Sequence, residues 1–318
     1  MRLTLQAAAI LAATAVAAPT ASAADTTIAA DPLAQRLTAL DGTVVWVSGR
    51  FPNQTLMQHT AAGTAPVKGA PRRSYPSIDL GRDGRNRLRL TYLRCAGTRG
   101  CTAISDDLQG RRTVLRGLAP SRCTLTTAPS LWRTRTAIGV ACTKRMGSRR
   151  VDDPERSGVY VKSSTGSPRR LALPADAVKF GVDEVTWVDL RGTQVAAVVA
   201  DIYEYVFAQT VTGGSRRSFL AAASEGESDE HVRGLSVGSA GVVWALVNSE
   251  HTGDPNQAII RRLTGDCLDS ERLRNATETE EGFKAVGLAV DRRTVHLAVP
   301  GSGIVTHPFA PEAACIPL

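Results

Sequence analysis

Leu37-Thr38-Ala39-Leu40-Asp41-Gly42-Thr43-Val44-Val45-Trp46-Val47 reads as two short apolar strands joined by an Asp-Gly turn. Asp-Gly between apolar strands is a hairpin signal, because a tight turn of matching twist needs positive φ. The unit recurs around Asp83-Gly84, which leads to Leu88-Arg89-Leu90-Thr91-Tyr92-Leu93. It recurs around Arg191-Gly192 before Val195-Ala196-Ala197-Val198-Val199, and around Ala240-Gly241 before Val242-Val243-Trp244-Ala245-Leu246. Asp291-Arg292-Arg293 leads to Thr294-Val295-His296-Leu297-Ala298-Val299, and a looser copy runs from Cys123 through Trp132 to Ala141.

A second kind of segment alternates with the first: a short strand, a polar Gly turn, then basic residues and another strand. Gly158-Val159-Tyr160-Val161, Thr165-Gly166 and Arg169-Arg170-Leu171-Ala172-Leu173 form the clearest copy. Tyr205 to Leu220 and Cys101 to Leu115 match it, weaker copies pass through Gly63 and Gly265, and a truncated one starts at Gly303. One period therefore holds four strands in a meander, and six periods of roughly 48 residues fill the chain. A lone four-stranded sheet cannot bury both faces; packing six radially does so and leaves few open edges. No stretch keeps a 3.6-residue apolar period, which excludes a hidden α/β domain. The expected fold is an all-β, six-bladed β-propeller of four-stranded antiparallel blades, closing its last blade near the C-terminus.

Segments such as Gly158 to Leu173 resemble the outer strands of TolB-type and related six-bladed propellers. Asp41-Gly42 and Asp83-Gly84 resemble the turn those families place between their two inner strands. The resemblance spans nearly the whole chain after residue 23 at the level of repeat pattern. It implies a binding platform, with some enzymes among such propellers, and the fold by itself does not choose.

Ahead of the repeats, Met1 to Ala23 carries Arg2, an apolar run and the small-x-small ending Ala21-Ser22-Ala23, the pattern of a cleaved export leader. Residues 24–318 are then expected to form one propeller domain, secreted or held at the cell envelope. Export suits six cysteines, because disulfides persist outside the cytosol. In a meander the start of one strand lies opposite the end of the next, so Cys123 should face Cys142 and Cys95 should face Cys101. Cys267 and Cys315 remain, and their bond would tie the C-terminal tail to blade five. Neither Cys-x-x-Cys spacing nor a His cluster is present, so no zinc site and no cofactor are expected.

Charge divides the chain. Residues 24 to 175 hold 25 Lys or Arg against 10 Asp or Glu, whereas residues 176 to 318 hold 12 against 20. In a closed ring those halves face each other across the axis and make the molecule dipolar. A basic side suits an acidic protein or a cell-envelope component. Nucleic acid is disfavoured by the compartment and by an aromatic content of 5%. No stretch after the leader is long and apolar enough to span a bilayer. Nothing in the sequence fixes the oligomeric state.

Meander order places the connections after the second and fourth strand of every blade on one face. The longest loops expected there are 144–155, with Arg145, Arg149, Arg150, Asp152 and Asp153; 225–231, with Glu225, Glu227, Asp229, Glu230 and His231; and 250–256, with Glu250, His251 and Asp254. Long loops on one face of a rigid scaffold usually carry binding. Their carboxylates lack the alternate-residue ligand pattern of a calcium loop, so no metal is assigned. Gly234-Leu235-Ser236-Val237-Gly238 matches a nucleophile-elbow motif, but it lies in a strand followed by another strand, the wrong context for that chemistry. His296 is expected as a hydrogen-bonded core imidazole, while His59 and His307 show no partner by spacing. Asp183, Glu184, Asp201 and Glu204 form the densest strand-end acidic group, which a hydrolase or lyase would want around a central opening. The expectation is a non-catalytic binding or scaffold propeller; the alternative is a glycan- or cell-wall-cleaving enzyme with its site in the funnel.

Overall fold

The computed structural model describes residues 25–95, 101–173, 182, 184–200, 203–213, 216–225, 228–251, 257–273, 285–311 and 315–317. Its strands form consecutive antiparallel groups of four. Blade 1 comprises Ala34–Leu40, Thr43–Ser48, Thr55–Thr60 and Gly63–Pro66. Blade 2 comprises Ile78–Arg82, Leu88–Cys95, Cys101–Asp106 and Arg112–Leu115. Blade 3 has a first strand split into Cys123–Leu125 and Ser130–Trp132, then Arg135–Met146, Gly158–Ser163 and Arg169–Arg170. Blade 4 is Glu184–Arg191, Gln194–Ala200, Tyr203–Thr210 and Arg217–Glu225. Blade 5 is Ser228–Val237, Val243–His251, Gln257–Thr264 and Cys267–Leu273.

Blade 6 departs from the expected closure. Gly287–Asp291, Thr294–Val299 and Gly303–His307 supply only three strands, and the N-terminal Thr26–Ala29 adds the fourth. The truncated repeat at Gly303 is therefore completed by the start of the chain. Gly303 has φ +104, and a Cβ there would lie 2.1 Å from the Ala29 carbonyl oxygen, so the closing strand needs glycine beside it.

First strands of neighbouring blades touch in sequence, and that of blade 6 touches that of blade 1. Buried apolar residues fall into six clusters, each between two consecutive blades. Trp46, Leu37 and Ala289 fill the closing interface, for example, and Ile138, Leu93 and Tyr160 the one between blades 2 and 3. Alternation along each strand thus buries both faces of every blade except where the sheet edge meets solvent.

Side-chain oxygens on the first strands clasp the backbone of the next blade. Thr38 Oγ1 accepts from the Leu80 amide at 2.9 Å, and Ser77 Oγ from the Ala128 amide at 2.8 Å. Ser130 Oγ accepts from Leu190 at 2.8 Å, Asp189 Oδ2 from Val237 at 2.7 Å, and Ser236 Oγ from Val290 at 3.1 Å. Asp291 completes the circuit by accepting from the amides of Asp41 and Gly42 at 3.0 and 2.6 Å.

The disulfides join Cys95 to Cys101, Cys123 to Cys142 and Cys267 to Cys315. In the first two pairs the cysteines are direct cross-strand partners. The third brings Ile316–Pro317 alongside blade 5 as an added strand.

Turn chemistry agrees at Asp41-Gly42, where φ is +54 and +75. It differs at Asp83-Gly84: the chain reverses over Asp83 to Arg87, and Asn86 takes the positive φ of +61. The cause is local. Asp83 Oδ1 accepts from the amides of Arg85 and Arg87, while Oδ2 accepts from the side chains of Arg87 and Arg89. Burial would raise the Asp83 carboxyl, but these donors hold it far below the ordinary carboxylate range.

Candidate functional site at the strand-start mouth of the axial channel

The first strands surround an axial channel with a mouth at each end and a waist between. At the waist, Thr38, Asp79, Ser130, Asp189 and Ser236 are all buried, and the free space there is about 10 Å³. Asp79 Oδ1 receives the Thr38 hydroxyl at 3.3 Å, whereas Oδ2 has no partner. Burial, then the neighbouring charge of Asp189, pushes the Asp79 carboxyl well above the carboxylate range; Arg191, Ser130 and Thr38 oppose this.

The mouth on the turn side, about 450 Å³, is lined by the tight turns between first and second strands. Its charged groups are largely engaged. Arg191 Nε lies 3.5 Å from Asp189, its Nη2 donates to the Ala39 carbonyl at 3.2 Å, and the guanidinium sits 5.7 Å from the Trp132 ring centre. Nη1 of Arg191 is left without a partner. Asp41 is paired with Arg82, and Asp291 is spent on the closing clasp.

The opposite mouth, where the first strands begin, encloses about 530 Å³. Three of those strands carry a β-bulge near their start: between Gln35 and Leu37, between Val185 and Trp187, and between Val232 and Gly234. A bulge re-aims the side chain it interrupts. Here the interrupting residues are Arg36, Thr186 and Arg233, and all three line the cavity. Arg36 adopts φ +42, an unfavourable conformation for a non-glycine residue.

Neither Arg36 nor Arg233 has a carboxylate within ion-pair distance or a hydrogen-bond partner among the described residues. Arg36 rests 5.5 Å from the Trp187 ring centre, a cation–π contact. Burial, and next the like charge of Arg233, weakens the hold of Arg36 on its proton, while Glu184 strengthens it. Thr126 and Thr186 line the same wall, and the Oγ1 of each lacks a partner.

Two residues of the acidic group, Glu184 and Glu204, also line this mouth, whereas Asp183 and Asp201 lie outside the described residues. Glu204 is held in place: Oε2 accepts from the Val232 amide at 2.5 Å, and Oε1 lies 3.5 Å from His231 Nδ1. His231 is the residue of the expected loop set that reaches the cavity.

Where they fall among the described residues, the expected loops take a different form. Residues 144–155 do not make an open loop: the end of Arg135–Met146 pairs with Arg149–Asp152 as a β-ribbon, with Arg145 directly opposite Arg150. The strong positive composition hid strand pairing, because like charges face each other across the ribbon at a cost. Arg145, Arg149, Arg150 and Asp152 are exposed on it, while Asp153 is buried at its base. Asp153 donates its amide to the Cys142 carbonyl and receives Ser157 on its own carbonyl. Glu225 and residues 228–231 are likewise strand: Arg217–Glu225 pairs with Ser228–Val237, matching Glu225 with Ser228. That second strand, with Asp229, Glu230 and His231, pairs with Val243–His251, which carries Glu250 and His251. Glu227 and Asp254 lie outside the described residues.

The remaining candidates settle into structural roles. Ser236 is buried and its Oγ serves the blade 5 to blade 6 clasp. His296 is buried, but its Nδ1 lacks the hydrogen-bond partner expected of a core imidazole. His59 Nδ1 lies 2.9 Å from Thr64 Oγ1. His307, without a partner by spacing, has two: Asp25 at 2.8 Å and Glu271 at 3.1 Å. Burial lowers its proton affinity, but the bonds from Glu271 and Asp25 outweigh that and raise it overall. Sequence spacing missed this triad because Asp25 and Glu271 arrive from the closing strand and from blade 5.

Among the described residues, no helix is long and apolar enough to cross a membrane, and no three His, Cys, Asp or Glu gather as a metal site. No family model matches the chain, and no curated protein matches it in sequence. Solved structures do match in shape. A protein of unknown function from Dyadobacter fermentans is 11% identical, with a TM-score of 0.50 over 90% of this chain and 97% of its own. The six-bladed fungal lectin of Aleuria aurantia is 10% identical, with a TM-score of 0.48 over 89% of this chain and 96% of its own. The Cps50 (Swd1) β-propeller domain of Myceliophteria thermophila is 12% identical, with a TM-score of 0.47 over 90% and 99%. At these identities only the first likeness bears on this chain, and it speaks to fold alone. The chain folds as a β-propeller.

Proposed function

We propose that this is an exported, non-catalytic binding propeller of TolB-like type that recognises a protein or cell-envelope component through its strand-start face. The observation that carries the reading is the polar mouth on that face, where Arg36 and Arg233 have no ion pair among the described residues. Folding stability favours paired charges in half-buried sites, so two guanidiniums without a counter-ion among the described residues suit a ligand-binding role. The same face carries Leu33, Phe51 and Met146, three of the four large apolar side chains exposed among the described residues. It also presents the Arg145–Arg150 ribbon, whose cations lack carboxylate partners among the described residues. Export rests on the leader pattern ending at Ala23 and agrees with three disulfides.

Affinity capture from native envelope and secreted fractions tests this, using the mature oxidised chain as bait. Arg36→Ala with Arg233→Ala probes the mouth, Arg149→Glu with Arg150→Glu probes the ribbon, and Arg292→Ala on the turn side is the control. The wild type and the control should retain the same specific partner, and at least one face variant should lose it. Equal retention by all variants overturns the assignment of the face.

One observation supports a second reading, a hydrolase or lyase acting on glycans. Glu184 and Glu204 share the mouth with His231, and apolar side chains do not plug it. Turnover of cell-wall glycans by the wild type, abolished by Glu184→Gln or Glu204→Gln with the fold intact, would establish it.

A further inference from the structure

We infer that the strand-start mouth takes a carboxylate-bearing sugar, its carboxylate seated between Arg36 and Arg233. The inference rests on the reading of that mouth as the recognition site, and it names the ligand chemistry. Planar guanidiniums hold a carboxylate through paired N–H donors, and that geometry is lost with a lysine. Arg36 is already oriented by the Trp187 ring at 5.5 Å, so it gives up little freedom when the anion arrives. A ligand anion would also offset the burial and the like charge of Arg233 that together weaken the hold of Arg36 on its proton.

Three features narrow the class. The exposed Glu184 faces the same cavity as the arginines, and it disfavours densely charged phosphate or sulfate groups relative to a single carboxylate. The wall carries Thr126 and Thr186, whose Oγ1 atoms are buried without a hydrogen-bond partner, and Gln35, whose side-chain amide donates to the Gly49 carbonyl at 2.6 Å. The apolar members of the lining are Trp187, Pro76, Val232 and Val286, a small strip that suits the C–H face of a sugar ring beside the polar groups. A ring bearing one carboxylate and several hydroxyls meets these conditions, and about 530 Å³ holds one or two such rings.

Isothermal titration of the mature oxidised chain tests this with four probes. They are galacturonic acid, its α-1,4-linked trimer, the trimer methyl ester, and inorganic phosphate. The acids should bind, the ester should bind at least tenfold more weakly, and phosphate should not compete at equal concentration. A trimer that binds tenfold tighter than the monomer identifies a polymer as the source, and equal affinities identify the free sugar acid. Arg36→Ala with Arg233→Ala should remove acid binding while the melting temperature stays the same or rises. Equal binding of acid and ester overturns the inference, as does binding untouched by the double arginine variant. If no uronate binds but capture of a partner still depends on Arg36 and Arg233, the ligand class is wrong and the recognition site stands. If capture is also indifferent to them, both fall.

Discussion

The two mouths of the axial channel are built from opposite ends of the same six first strands, and they handle charge in opposite ways. At the turn side Asp41 is paired with Arg82, Asp291 closes the ring, and Arg191 is anchored to Asp189 and Ala39. At the strand-start side two guanidiniums sit in bulges without a counter-ion among the described residues, and two buried threonine hydroxyls lack partners. One end is spent on stability; the other is held at some cost to it. Since the scaffold is the same, the difference marks where recognition is expected.

Substitutions at the turn side should therefore cost stability, and those at the strand-start side should not. The largest effect is expected at Arg191→Met, which leaves Asp189 buried without its cation. Breaking a buried pair in this way typically costs about 3–5 kcal/mol. Asp291→Ala should cost roughly 1–3 kcal/mol, because the amides of Asp41 and Gly42 lose a charged acceptor. Chemical denaturation of each variant measures both, and a loss below about 0.5 kcal/mol at Arg191 would break the contrast.

The waist between the mouths adds a pH signature. Because the Asp79 carboxyl is raised on folding, the native state holds a proton that the unfolded chain has released. Stability should accordingly fall as pH rises from the ordinary carboxylate range towards and beyond neutrality. Asp79→Asn should flatten that dependence and stabilise the protein at pH 8. His307 acts with the same sign at the closing blade: its contribution is full below the unfolded imidazole value and disappears as pH rises through the raised native value. His307→Gln should cost about 1 kcal/mol at pH 6 and much less at pH 9, measured as melting temperature against pH. A pH-independent loss would refute the paired, protonated state.

The smallest effect is expected at Arg36→Gly. It removes the like-charge repulsion and the left-handed strain at φ +42, so stability should hold or rise by up to about 1 kcal/mol. A loss of more than 1 kcal/mol would mean that Arg36 belongs to the scaffold.

Much of the scaffold could be read from short-range signals. Asp41-Gly42 adopts the positive φ that its composition calls for. Cysteines placed at matching strand ends pair across their hairpins. Long-range features escaped. The strand Thr26–Ala29 has no repeat partner beside it, and its role appears only when the ring brings it to Gly303–His307. The Arg145–Arg150 ribbon carries too much charge to suggest pairing, although the backbone pairs there regardless. Glu184 and Glu204 were legible as a strand-end pair because they lie in one blade. Arg36 and Arg233 were not, since they come from blades 1 and 5 and nothing local announces a bulge.

The most direct test of the contrast is a hydrogen-exchange footprint of the mature chain with the partner recovered by capture. Added protection is expected at Gln35 to Leu37, Thr186 to Trp187 and Val232 to Gly234, with none at Gly192, Gly238 to Gly241 or Arg292. Protection confined to those turns would place recognition at the opposite mouth and contradict the account.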